Sequence, residues 1–216
     1  MTQSRTSTRT RRGQIWLAAL VGTVLVAAPI GLAPPAAAKT CDGKKVLCKI
    51  GDTGPGGGVV FYDAGSRQPW GRYLEAPGKV KGKQREGPGA SWADTQWQWC
   101  PQEAPGYNTV LPTGTAIGTG RANTQIVIDA CGADTAAGIA AAYRGGGKDD
   151  WFLPSKNELN ALYRQRKVVG GLTDVTFWSS SQYEGSANNA WAQYFGNGNQ
   201  YYDNKDADTR VRPVRA

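Results

Sequence analysis

Apolar residues recur at spacings of three and four through Leu159, Leu162 and Tyr163, which predicts a helix with one apolar stripe and with Lys156, Asn160 and Arg164 facing outward. Its start is legible. Ser155 stands three residues before Glu158, so the hydroxyl can accept from the Glu158 N–H while the carboxylate reaches back to the Ser155 N–H, a capping box. Trp151-Phe152-Leu153 ahead of Pro154 predicts an extended apolar lead-in, because a residue preceding proline is driven away from helical geometry. Two shorter helices are predicted upstream. One is capped by Asn123 or Thr124 and runs through Ala130; the other is capped by Asp134 or Thr135 and runs to Arg144, where Gly145-Gly146-Gly147 ends it. Val59 to Tyr62 reads as a buried strand behind the glycine-rich stretch Gly51 to Gly58, and Arg72 to Ala76 as a second short strand. After residue 174 the pattern turns to β: Val175 to Ser180, Ala190 to Phe195, Gln200 to Asp203 and Thr209 to Val214. Asn197-Gly198 forms a hairpin turn, since both residues tolerate positive φ. Pro101 to Gly120 shows no period, and a loop of that length persists in a compact domain when it is pinned or functional.

The first 38 residues stand apart from this pattern. Arg5, Arg9, Arg11 and Arg12 precede an apolar run from Ile15 to Ile30, and Ala36-Ala37-Ala38 supplies small residues for cleavage, so a signal peptide is expected. The run is short of the ~20 residues that span a membrane, which leaves an uncleaved anchor as the alternative. Thr10-Arg11-Arg12 keeps a twin-arginine route open. The protein is therefore expected outside the cell or at its envelope, without a membrane span once cleaved. It has an N-terminal disulfide loop over residues 39–50 and one domain over residues 51–216. Loss of the leader lowers the formal charge of +8 to about +4. That is too mild for the dense basic face of a nucleic-acid binder. Cys41, Cys48, Cys100 and Cys131 form an even set in an exported chain, and the expected pairs are Cys41 with Cys48 and Cys100 with Cys131. A zinc site is the alternative, without a Cys-x-x-Cys pair to recommend it.

The chain has no histidine, which removes Ser-His-Asp and Cys-His catalysis and any imidazole metal site. Lys79, Lys81, Lys83 and Arg85 alternate along a loop that either meets a polyanion or simply keeps the chain soluble. Trp92, Trp97 and Trp99, beside Asp94 and Gln96, have the composition of a sugar-stacking site, against the plainer reading of tryptophans as core. Asn188 and Asn189 complete this candidate ligand site. The glycines of residues 51–58 are followed by a strand and no Lys-Ser/Thr pair, so they permit close approach of backbone and do not cradle phosphate. Asp149, Asp150 and Glu158 offer the carboxylates a glycosidase needs, although a turn and a helix cap already explain them. Asn204, Asp206 and Asp208 alternate as calcium ligands could, or as a solvated hairpin end does; no cofactor is expected, with calcium the one ion worth testing.

Four motifs occur in an order that resembles the C-terminal domain family of the Legionella collagen-like protein: residues 117–124 (Ile-Gly-Thr-Gly-Arg-Ala-Asn-Thr), 150–155 (Asp-Trp-Phe-Leu-Pro-Ser) with Glu158-Leu159, 177–181 (Phe-Trp-Ser-Ser-Ser) and 211–215 (Val-Arg-Pro-Val-Arg). Residues 56–62 resemble the family's start, so the likeness covers about residues 51–216. It implies an α+β, C-type-lectin-like fold related to formylglycine-generating enzymes, with two main helices on a twisted, mostly antiparallel sheet and long irregular loops. Trp151, Leu153, Pro154, Ser155, Glu158 and Trp178 are then scaffold. The namesake domain binds sulfated glycosaminoglycans as an adhesin and trimerises through a collagen-like stem. No sustained Gly-x-y repeat occurs here, so oligomeric state does not transfer. Formylglycine-generating chemistry needs two redox-active cysteines late in the fold, and the last one here is Cys131. The expectation is a secreted, non-enzymatic binding and adhesion module for glycans or an anionic surface polymer. The alternatives are a secreted carbohydrate-active enzyme relying on Asp150 and a structural envelope protein that binds a surface protein.

Overall fold

A computed structural model describes residues 40–80, 83–84, 95–172 and 174–216, with the side chains of residues 79, 80, 83 and 84 left aside. The leader, Lys81, Arg85, Trp92 and Asp94 lie outside the described residues, as do the side chains of Lys79 and Lys83.

The protein is α+β, with a mixed sheet. Strands β1 (Val59–Gln68) and β2 (Gly71–Ala76) make an antiparallel ribbon, and β3 (Lys79–Val80) pairs with β4 (Lys83–Gln84). The main sheet has five strands: β5 (Gln96–Trp97), β6 (Thr176–Gln182), β7 (Asn189–Tyr194), β8 (Gln200–Asn204) and β9 (Thr209–Arg210). Their order is β5-β9-β6-β7-β8, antiparallel except between β6 and β9. Among the described residues four α-helices accompany them: α1 (Gly120–Cys131), α2 (Ala136–Ala142), α3 (Lys156–Arg164) and α4 (Arg166–Val169). None among the described residues is long and apolar enough to cross a membrane.

Two neighbours on β6 show how the layers are built. Successive strand residues point to opposite faces. Trp178 thus enters a core with Trp99, Val127, Ala140, Leu153 and Val211, while Phe177 enters a second core with Phe61, Leu74, Leu159, Leu162 and Phe195. The second core contains the expected stripe of α3 through Leu159 and Leu162, with Tyr163 packed against it. Helix α3 begins with the capping box of Ser155 and Glu158. The Asn197-Gly198 turn joins β7 to β8, with Gly198 at φ 86°. The two expected disulfides, Cys41–Cys48 and Cys100–Cys131, are both present, which removes the zinc alternative.

Several boundaries differ from the sequence reading. Helix α1 starts at Gly120 and not after Asn123 or Thr124, because both of those side chains are taken by tertiary partners. Asn123 bonds Gly114 in both directions and donates to Ser180 Oγ, while the Leu153 N–H donates to Thr124 Oγ1. Helix α2, capped by Thr135, stops at Ala142 and not at Arg144. The last strand is cut to Thr209–Arg210, since Pro213 offers no N–H to a ladder. Beyond it the chain makes single bridges, Phe152 with Val214 and Glu75 with Arg215. Two residues of α3 expected to face outward are engaged. Asn160 accepts from Gln193 at 3.1 Å, and the Lys156 ammonium lies 3.1 Å from the Trp191 ring centroid.

Candidate ligand-binding site

Glu75 organises the ground beneath the candidate site. It is buried, accepts from the N–H groups of Gly56 (2.7 Å) and Gly58 (3.0 Å), and pairs with Arg215 at 2.8 Å. A Cβ on Gly54 or Gly56 would come within 2.5 or 2.6 Å of a Glu75 oxygen. The glycines do permit close approach, and what approaches is a carboxylate. This is a nest of backbone donors of the kind that elsewhere binds phosphate, filled here by the protein's own anion. Arg215 continues the network to Asp150 at 2.5 Å, and Arg121 lies 3.7 Å from the same carboxylate. Asp150 is thus not the solvated turn residue that its sequence position suggests.

Three adjoining cavities of about 540, 410 and 440 Å³ run over this network. The first shares Pro69 and Trp70 with the second, and the second shares Arg121, Asp150 and Phe152 with the third, so they form one groove with an aromatic floor. At the wide end Lys44, Arg67, Arg72, Lys148 and Arg215 face Asp42 and Glu75. The Asp42 carboxylate accepts from the N–H groups of Val46, Lys44 and Lys45, which hold its pKa below the usual value. Arg72 is paired with Asp63 at 2.8 Å. Lys44, Arg67 and Lys148 make no ion pair among the described residues, so this end carries uncompensated positive charge.

Glu158 lines the middle of the groove together with Asp150. Burial pushes its pKa up, and its oxygens accept from the N–H groups of Ser155 (2.7 Å) and Gly118 (2.8 Å). An oxygen that receives N–H donors is a structural acceptor; a general acid has to present its proton to a substrate.

Residues 91–215 match the sequence model of the Lcl C-terminal domain. The chain belongs to that family. No curated protein matches it. The match begins at residue 91, later than the resemblance seen from residue 51, so within this family member β1, β2 and the cradle of Glu75 lie ahead of the matched region. The family motifs converge in space. Arg121 and Arg215 meet at Asp150, Gly118 and Ser155 meet at Glu158, and Ser181 Oγ donates to Gly114 while accepting from the Lys156 N–H. Trp151, Leu153, Pro154 and Trp178 are all buried. These residues hold the scaffold, and the groove's wide end draws Lys44, Arg67 and Arg72 from outside the matched span.

The other candidate residues separate. Trp99 is fully buried and its indole donates to the Ser179 carbonyl at 2.8 Å, so it is core and presents no ring to a ligand. Trp97 is half-buried on β5, at the edge of the sheet opposite β8, and its carbonyl accepts from Trp178. Asn188 and Trp99 come together only through Lys205, whose N–H donates to Asn188 and whose carbonyl accepts from Trp99. Asn189 donates to Asn204 at 3.2 Å. Among the described residues no three acidic or thiol side chains gather as a metal site; Asp206 instead accepts from Gln102.

Sequence reasoning missed Lys205. It is fully buried, and its ammonium donates to the carbonyls of Gly106 (2.8 Å), Thr109 (3.0 Å) and Tyr107 (3.1 Å), which pins the loop after Pro101. No local signal marked it: Lys205 stands in the turn just after β8, where no strand alternation assigns a side, and its burial comes from the distant loop that it meets.

Proposed function

We propose that this chain is a secreted, non-enzymatic binding and adhesion module for glycans or an anionic surface polymer, built on a C-type-lectin-like scaffold. The observation that carries this reading is the long groove with an aromatic floor and uncompensated cations at one end. A groove of this form suits an extended acidic chain: backbone sugars lie over the half-buried Trp70 while sulfate or carboxylate groups meet Lys44, Arg67 and Lys148. The irregular loop pinned to the sheet by Lys205 supports the lectin-like scaffold. The alternating cations of residues 79–85 remain a second candidate contact for such a polymer.

Binding to immobilised heparin, followed while salt is raised from about 0.05 to about 0.5 M, tests the reading, since screening weakens exposed charge contacts. Arg67→Ala with Lys148→Ala is expected to weaken binding about tenfold, and Lys81→Ala with Lys83→Ala reports on the loop. Heparin affinity unchanged by both pairs would remove the groove and the loop from the function. One observation favours an enzyme, namely that Asp150 and Glu158 share a cavity. That alternative requires turnover of a glycan that Asp150→Asn abolishes while the melting temperature stays unchanged.

A further inference from the structure

On the face of β7 and β8 that α3 partly covers, the stretch beyond Lys156 carries a second surface that the heparin reading does not use. Trp191 and Tyr202 are register partners, so their side chains stand on one face of the sheet. Tyr183, just past β6, lies flat against Tyr202 with ring centroids 4.1 Å apart and planes within 6°. Trp191 stands edge-on to both, at 89° to Tyr183 and 84° to Tyr202. The arrangement is rigid because each ring is held by another. Lys156 already covers Trp191, and the charge of Glu184 acts on Lys156. Tyr202 remains 50% exposed on the edge strand of the sheet. Beside it, Asn189 and Asn204 bond each other through one amide N–H and one amide oxygen, which leaves each with further hydrogen-bonding capacity.

We infer that this surface is a binding site for a neutral pyranose of a polysaccharide. The apolar C–H face of the sugar lies on Tyr202, and its hydroxyls bond the Asn189 and Asn204 amides. The chemistry selects an uncharged sugar. A flat aromatic ring favours the C–H face of a pyranose, and amides serve hydroxyls as both donors and acceptors. Lys156, the cation held against these rings among the described residues, is turned onto the Trp191 face and lies in the field of Glu184, which disfavours its use for sulfate or carboxylate. The site stands independently of the cationic groove, and the chain then holds two sugar chemistries at separate places.

Titration of the exported protein with neutral hexasaccharides of β-linked glucose and of mannose, followed by calorimetry, tests the site. Binding to at least one is expected below about 5 mM and unchanged by raising salt to about 0.5 M. Tyr202→Ala should weaken it about tenfold while Tyr202→Phe, which keeps the ring, stays within about twofold. Arg67→Ala with Lys148→Ala should leave it unchanged, whatever that pair does to heparin. Because Tyr202 is half exposed, the alanine variant should still fold cooperatively, with a melting temperature lowered by no more than a few degrees through loss of its ring contacts. The inference is overturned if no neutral hexasaccharide binds, if Tyr202→Ala binds as well as wild type, or if only sulfated probes bind. Self-association that Tyr202→Ala abolishes also overturns it, by giving the surface to a second copy of the chain.

Discussion

Replacing Lys205 by methionine keeps most of the buried stem and removes only the ammonium, so it isolates what pins the loop after Pro101. Three charge-assisted bonds to loop carbonyls are lost. At about 1.5 kcal/mol each they amount to about 4 to 5 kcal/mol, offset by about 2 kcal/mol because methionine buries no charge. The expected deficit in urea denaturation at pH 7 is thus about 2 to 3 kcal/mol. Burial lowers the pKa of Lys205 to about 8, whereas an unfolded lysine titrates near ~10.4. Between these values the unfolded chain holds a proton that the folded chain has released. Stability from this group therefore rises with pH across that window, by up to about 1.4 kcal/mol per unit, and is lost as pH falls through about 8. The variant lacks that gain, so its deficit should widen between pH 8 and pH 10. Amide exchange at Tyr107 and Thr109, whose N–H groups bond within the loop, should accelerate in the variant while that at Leu159 does not. A deficit below about 0.5 kcal/mol at pH 7, or one that shrinks as pH rises, would refute the account.

Cys100→Ser with Cys131→Ser opens a loop with a sequence separation of 31, and should cost about 3 to 4 kcal/mol in urea denaturation. Gly120→Ala places a Cβ 2.1 Å from a Glu158 oxygen and 2.9 Å from the Ser155 nitrogen. It should lower stability by more than about 3 kcal/mol through loss of the cap, which differential scanning calorimetry would register as a large fall in melting temperature. Arg215→Leu leaves the buried Glu75 carboxylate without its guanidinium; a loss of about 3 kcal/mol is expected, and adding Glu75→Gln should restore part of it in a double-mutant cycle.

Features written in neighbouring residues were legible in the sequence. The capping box of Ser155 and Glu158 and the Asn197-Gly198 turn depend on residues one to three positions apart, where backbone geometry decides the outcome. The ordered motifs identified the family, and the even cysteine count in a chain expected to be exported narrowed the disulfides. The apolar stripe of α3 placed Leu159 and Leu162 in the core. Three-dimensional packing decided the rest. Nothing near Glu75 in sequence shows that the glycines of residues 54–58 will wrap its carboxylate, with Arg215 arriving from 140 positions away. Asn123 looked like a cap because a free Asn at that point would be one, until Gly114 and Ser180 claimed it. Composition does not tell Trp99 from Tyr202: the first is fully buried in the core, the second half exposed on the edge strand β8. Local rules act through the torsions of a few bonds and are written in the chain, whereas burial and long-range pairing depend on which distant surfaces meet and arise only when the whole domain has closed.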